Sequence, residues 1–475
     1  MHNDKESPFT LTLVERDLSL QVLQFSGHEG LNQPYRFTVD AIGLTPPMEL
    51  ERLLQQSAFL SLGDDQGFHG RLHSASREHR GAHRVGYHLV LVPHLQTLEQ
   101  QRRRRVFHRL SVPDIVRQLL EEHALLQSSY RIELTTGHYP VRPFCIQYEE
   151  SDLALLHRLC EEEGIHYHFE HRHDGHVLVL ADDSLGFPQE PVLTPFRGAT
   201  NRNPGEAGIS ELFQRHESPA TRAPSTSRSR GAPASSDGAA NEPHASAGSM
   251  IQRPAPEQQH CDQLSRRGLE RLRCQHTQIR GQSDQPRLLS ATILQVEQHP
   301  LPCFNNQWLL TEIQHHGQQT SILEQDPSGV PRSYRNEFSA IAWSTAFRPS
   351  LKQARPIVPG YQPARVLGPA GQPATVDDHG RILIALWPTA GAVAEEAGGI
   401  WLPVVIGACE GGADRYRLPR AGSDVLINFL DGDPDRPVLF ITSGCEPPQP
   451  AAARKPRSDT RLLLDWLINR PDLGS

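Results

Sequence analysis

On a strand, residues two apart point to the same side, so His166 and His168 could offer two imidazoles to a metal ion, with His171, His173 and His176 close behind. A convincing site would need an added Asp, Glu or Cys at a suitable spacing. The run straddles Asp174-Gly175, a hairpin signal where partly exposed polar residues are expected, and no metal is assigned. Asp431, Asp433 and Asp435 have the one-three-five spacing of a calcium loop, yet Arg436 stands where the loop needs glycine and Thr442 where it needs glutamate. A solvated hairpin turn is the expectation. Arg102 to Arg105 could touch phosphate or a membrane surface, but beside Glu99 they read as a solvated or subunit-contacting charge run. Glu161-Glu-Glu163 forms the polar end of a helix, where the dipole disfavours carboxylates and a partner is needed. No H-E-x-x-H, G-x-S-x-G, Walker or dinucleotide motif occurs, so no catalytic or cofactor-binding residue is assigned.

The elements that must position these groups are mostly strands. Phe9-Thr-Leu-Thr-Leu13, Phe37-Thr-Val-Asp-Ala-Ile42 and Tyr87-His-Leu-Val-Leu-Val92 alternate with period two. Ser111 with Asp114 three residues on opens a helix whose Ile115, Val116, Leu119 and Leu120 form one stripe. Ser151 caps a second helix from Asp152 to Glu163, with Leu153, Leu156, Leu159 and Cys160 inward and Gly164 as its stop. Near the C-terminus, Arg381-Ile-Leu-Ile-Ala-Leu-Trp387, Ile400 to Ile406, Val425 to Phe429 and Val438 to Ile441 supply at least four short strands, enough for a small closed barrel.

Composition excludes several classes. A length of 475 residues leaves room for about three domains. No segment approaches the roughly 18 uninterrupted apolar residues that span a bilayer, and Met1-His-Asn-Asp-Lys-Glu6 lacks the apolar core of a signal peptide, so folding in the cytoplasm is expected. The seven cysteines are scattered and form no C-x-x-C pair, which argues against a disulfide framework or a zinc ribbon. With 47 basic and 55 acidic side chains interspersed, there is no broad basic field for nucleic acid. In the barrel, Trp387, Trp401 and Phe429 are expected in the core, and Arg381, Arg415, Arg417, Arg420 and Arg436 are balanced by Asp377, Asp378, Glu395, Glu396 and Glu410.

The blocks "DHGRILIALWP" and "LPRAGSDVLINFLDGDPDRPVLF" closely resemble the oligonucleotide/oligosaccharide-binding-type (OB-type) barrel of the VgrG family, the spike proteins of type VI secretion systems. "VPHLQTLEQQRRRRVFHRLSVPDIVRQLLEEHAL" and "FCIQYEESDLALLHRLCEEEGIHYHFEHRHDGHVLVLADD" resemble the head of that family, which is similar to a phage tail hub. "LLSATILQVEQHPLPCFNNQWLLTEIQHHG" and "YRNEFSAIAWSTAFRP" resemble its closing blocks. The resemblance implies a mainly β, α+β fold: a hub-like head of two barrel-like subdomains, then an OB-type barrel. It implies a structural, non-enzymatic spike that caps the Hcp tube and helps deliver effectors, with a homotrimer or mixed trimer, baseplate proteins and an effector or adaptor as partners. It also implies no nucleic acid, and export through the type VI machinery without a signal peptide. The alternative is a needle-less paralogue or phage-derived hub acting as adaptor or effector carrier.

The division expected is a first head part over 1–215, a disordered low-complexity loop over 216–260, a second head part over 261–348, a linker over 349–363, the barrel over 364–446 and a short tail over 447–475. From Ser218 to Ser249 there is no Val, Ile, Leu, Met or aromatic residue, too little to offset the entropy of ordering. With a tail this short, the β-helix needle typical of the family is not expected in this sequence, which counts against a PAAR-type tip as a partner. A helix over 460–468 would put Leu463, Trp466 and Leu467 on one side, either packed on its own barrel or docked on a partner.

Overall fold

The computed structural model describes residues 9–16, 18–63, 66–81, 83–198, 207–216, 255–320, 333–369, 371–388, 398–406 and 418–441. They fall into two units, a head up to Val358, with which Asp433–Asp435 also group, and a barrel formed by the rest from Pro359 onward.

The head begins with β1 (Thr10–Leu13), β2 (Leu18–Gly30), β3 (Gln33–Leu44), β4 (Ser57–Gly63), β5 (Gln66–His79) and β6 (Arg84–Val92). They pair in the order β1-β4-β5-β6-β3-β2, and β2 pairs back onto β1, closing a six-stranded ring. The alternation read from the sequence is the alternation of this ring: Leu11, Leu13, Phe37, Val39, Leu60, Leu89 and Leu91 all point inward and are fully buried. The chain continues through β7 (Arg102–Leu110), α1 (Val112–Glu122), β8 (Tyr130–Glu133), β9 (Arg142–Ser151), α2 (Asp152–Glu163), β10 (His166–Arg172) and β11 (Gly175–Ala181). Both helix starts form as expected: the Ser111 hydroxyl accepts from the Asp114 amide, the Ser151 hydroxyl accepts from the Ala154 amide, and Gly164 ends α2 at φ 72°.

A second ring follows from β12 (Val192–Pro195), β13 (Ile209–His216), α3 (Ala255–His276), β14 (Thr277–Ser283), β15 (Ile293–Glu297), β16 (Gln307–Gln318) and β17 (Ser333–Ala342). Its strands run β13-β14-β17-β16-β15-β12, and a single bridge between Phe196 and Ile209 links the end of β12 to β13. Ile279, Leu294, Val296, Trp308, Leu310, Ile313 and Phe338 fill it. These are the two barrel-like subdomains of the head.

The rings share β2. Its first residues, Leu18 to Gln21, pair with β1, while Gln24 to Gly30 pair with Gln318 to Glu312 of β16. The seam is tight because two aromatic rings lie flat across glycines: a Cβ on Gly27 would meet Phe37 at 2.1 Å, and one on Gly317 would meet Phe25 at 2.1 Å.

The barrel consists of β18 (Tyr361–Val366), β19 (Arg381–Leu386), β20 (Ile400–Ile406), β21 (Asp424–Phe429) and β22 (Pro437–Ile441), closed in the order β18-β19-β20-β22-β21. Ala364, Val366, Ile382, Ile384, Leu402, Ile427 and Phe429 fill it. The β21–β22 hairpin forms as expected, and closure requires β20 and β22 to run parallel.

The expected boundaries shift in two places. The segment assigned to a loop over 216–260 ends at α3, which already begins at Ala255, and His216 is the last residue of β13. The segment 349–363, expected to be a linker, is bound to the head over its first half: the Pro349 carbonyl accepts from Arg271 Nε at 2.7 Å, and Val358 is buried. Residues 218–249 and the tail with Leu463, Trp466 and Leu467 lie outside the described residues.

Replacing Gly317 by alanine is expected to displace Phe25 and cost about 1–3 kcal/mol, read as a lower urea midpoint with unchanged slope. Alanine at Gly175, where a Cβ meets nothing within 4 Å, is the control.

Candidate functional site

The carboxylates at the end of α2 are the point from which the polar interior of the head is built. They sit where the helix dipole opposes them, and each is answered within the chain. Glu161 accepts the backbone N–H groups of Lys352 and Gln353, both at 2.8 Å. Glu162 meets Arg355 Nε at 2.8 Å. Glu163 is buried between Arg142 Nη2 and His260 Nε2, both at 2.8 Å. Burial pushes the Glu163 carboxyl up, but His260 and Arg142 more than reverse this and leave it below the usual range.

Helix α3 brings arginines to the same place. Arg267, 3% exposed, reaches Asp182 at 3.3 Å and the Tyr139 hydroxyl at 3.0 Å, and donates to the Glu163 carbonyl. Arg271 Nη2 donates to the Glu161 carbonyl at 2.7 Å. Arg348 joins Glu270 of α3, at 2.7 Å, to the Asp182 carbonyl, also at 2.7 Å. Asp182 is fully buried and accepts from the amides of Thr135, Thr136 and Gly137 and from the Tyr139 hydroxyl. Desolvation raises its pKa, yet these donors outweigh it and the carboxyl stays below its ordinary value. The result is a clamp that fastens α3 and residues 347–355 to α2.

The arginine run is similarly consumed. It forms β7, where Arg105 meets Glu122 at 2.5 Å and Asp152 at 2.9 Å, Arg103 meets Glu122 at 3.4 Å, and Arg104 pairs with Glu149. Three of the four successive arginines, Arg103 to Arg105, are thus met by carboxylates on the two faces of the strand, and Arg102 is exposed.

The histidines depart from expectation. β10 and β11 do form a hairpin around residues 173 and 174, but only His173 is exposed. His166 and His168, each 1% exposed, pack on Phe187 with ring centroids 4.3 and 5.6 Å away, and neither ring has a hydrogen-bond partner. They are therefore core residues, placed inside because β10 is covered on that side. His171 lies edge-on to Tyr35 and Phe68, at 4.9 and 5.0 Å. His176 Nδ1 is 3.0 Å from His69 Nδ1, and its Nε2 accepts from the His94 amide at 3.2 Å. Among the described residues no group of three or more His, Cys, Asp or Glu side chains could hold a metal ion.

In the barrel, Asp431 to Asp435 form a turn: Asp431 takes φ 58°, Leu430 N donates to the Arg436 carbonyl at 3.0 Å, and the Asp435 amide donates to Asp433 Oδ1 at 3.0 Å. Of the three aromatics expected in the core, only Phe429 is there; Trp387 and Trp401 are half-buried, the first donating to Gln362 Oε1 at 3.0 Å. Arg415, Arg417, Glu395, Glu396 and Glu410 lie outside the described residues. Among the described residues, β13 pairs with β14 on one side, and on the other only Ile209 is bridged, with Phe213 61% exposed.

A hub-type head of two fused rings followed by a five-stranded barrel defines a class, and comparison with known proteins gives its family. Residues 28–321 match the phage tail baseplate hub (GPD) family, to which the chain belongs. It is 36% identical to the type VI secretion system spike protein VgrG4b of Pseudomonas aeruginosa over 97% of this chain and 59% of that protein. It is 37% identical to VgrG5 of the same organism over 93% of this chain and 57% of that one. The chain thus spans less than two thirds of the length of these relatives. An E. coli type VI secretion component, described as structurally similar to the T4 bacteriophage tail proteins gp27 and gp5, superposes with a TM-score of 0.65 at 22% identity, covering 88% of this chain and 96% of its own. The fold expected from the resemblance is therefore the fold observed.

The clamp makes a quantitative expectation. Asp182→Ala strands the buried Arg267 cation and is expected to cost roughly 3–5 kcal/mol, with faster tryptic cleavage at Arg266 and Arg273. Glu49→Ala breaks the exposed Arg52–Glu49 pair and should cost less than about 1 kcal/mol. Denaturant unfolding of the two variants separates the cases.

Proposed function

We propose that this chain is a structural hub and spike component of a type VI secretion apparatus, seated on the Hcp tube and helping to deliver effectors into target cells. The observation that carries this reading is the continuous likeness to named spike proteins across both the hub-type head and the barrel. The internal satisfaction of the charged groups supports it: three of the four arginines of the run, the acidic triplet and most of the histidines are spent on holding the fold, which suits a part that transmits load and does no chemistry.

Assembly as a homotrimer, or a mixed trimer with related chains, is part of the proposal. The edge of β13 beyond Ile209, open among the described residues, supports it, because an unpaired edge is a template for another strand and a closed assembly covers it. Baseplate proteins, an effector or adaptor, synthesis in the cytoplasm and export through the apparatus belong to the same reading. So does a partner contact through Leu463, Trp466 and Leu467. No helix among the described residues is long and apolar enough to cross a membrane.

Light scattering on the purified chain tests the reading. A species of three times the 53.0 kDa subunit is expected, and a monomer at all concentrations would count against a self-sufficient hub. Deleting the gene should abolish export of the tube protein into the medium, measured by immunoblot. Unchanged export would overturn the spike assignment.

A further inference from the structure

The β10–β11 hairpin rests against the first ring through Phe169, edge-on to Tyr35 at 4.9 Å, and through imidazoles, an uncommon choice for a buried contact. His171 is half-buried as a residue, but both of its ring nitrogens are shut off from water and have no hydrogen-bond partner. His69, 5% exposed on β5, shares one contact with His176 through Nδ1 and leaves Nε2 buried without a partner. The His69 carbonyl is taken by the Tyr35 hydroxyl at 2.5 Å. On the far side of the hairpin, His166 and His168 add four more unpartnered ring nitrogens.

We propose that the β10–β11 hairpin is an acid-released latch, held on the head while His69, His171 and His176 are uncharged and freed when they take up protons.

Two neutral rings can share one proton between facing Nδ1 atoms at 3.0 Å, one donating and the other accepting. Two imidazolium rings cannot, since both would be donors and both cations. The neighbours are few. Glu29 of β2 is already engaged by His315 of β16 at 3.2 Å and by Ser290 at 2.8 and 3.0 Å. His94 lies beside His176, Arg71 faces His69 and His176, and His173 and Asp174 face His69 from the turn. Tyr35 and Tyr334 complete the surroundings as neutral phenols held well above their usual range by burial. Glu29 and Asp174 are the only anions in this set, against three other imidazoles and Arg71, so added positive charge has little to meet it.

Burial accordingly pushes His69 and His171 down to about 4, and His176 well below its ordinary value. The sign follows. Above pH 6.5 both the latched and the released hairpin are neutral and proton uptake does not distinguish them. As pH falls from 6.5 towards 4 the released form binds protons that the latched form refuses, and the latch weakens throughout that window.

Hydrogen exchange on the full chain at pH 7.0 and 5.0, corrected for the intrinsic rate, tests the proposal. Amides of residues 166–181 should lose protection by about tenfold or more at pH 5.0, while those of the barrel strands change far less. His171→Phe, which keeps the packing on Phe68 and Tyr35 but cannot be protonated, should reduce that pH dependence. His79→Gln, at an exposed position, should leave it unchanged. Equal protection of the hairpin at both pH values, or a uniform loss across head and barrel, would overturn the latch. Because wild-type exchange is itself decisive, the result stands even if His171→Phe fails to fold.

Discussion

One strand serving two rings is the constraint on which the head depends. β2 gives its first residues to β1 and its last to β16, so the first ring cannot close in its native form without it and the second is joined to the first through it. The glycines at the seam follow from this. Where two rings meet on one strand the sheets must approach closely, and the flat contacts of Phe25 and Phe37 are available only over residues without a side chain. Because β16 lies close to 300 residues further on, the head is also a unit of long sequence range, and the clamp around α2 adds further long-range ties through α3 and residues 347–355.

The charged interior is the second theme. Burying Arg267, Asp182 and Glu163 stabilises the head only because each has several partners of fitted geometry; a single lost partner leaves a charge without water. This explains why α2 can end in three glutamates against its own dipole. The dipole term is on the order of 1 kcal/mol or less at exposed positions, and the hydrogen bonds from Lys352, Gln353, Arg142 and His260 outweigh it.

Much of the fold was legible in the residues. Period two marked β1, β3 and β6, and the Ser111 and Ser151 caps with their leucine stripes marked α1 and α2, because in each case the buried face is apolar and its spacing shows. Helix α3 was not legible for the opposite reason. Its inward positions are Gln263, Arg267, Arg271 and Cys274, while Leu269 and Leu272 face outward, so its hydrophobic pattern points the wrong way. The histidines were misplaced because an imidazole reads as polar in a sequence, whereas the neutral ring packs as an aromatic. The need of Glu161 to Glu163 for a partner was visible, but Glu161 and Glu162 found theirs in a segment whose prolines gave every local sign of a linker, and Glu163 in Arg142 and His260, far away in sequence. The Asp431 hairpin was read correctly because turn chemistry is local and needs no partner from elsewhere.

The polar docking of α3 has a consequence for what happens if that helix ever lets go. A helix held by an apolar stripe bares that stripe on leaving, and so does the surface beneath it; such a state sticks to its neighbours. What α3 would bare is largely guanidinium, amide and carboxylate, groups that water receives well, with one apolar point where Cys274 packs beside Leu31, Leu309 and Ile341. Its departure would therefore uncover less sticky surface than the loss of a helix docked by an apolar stripe.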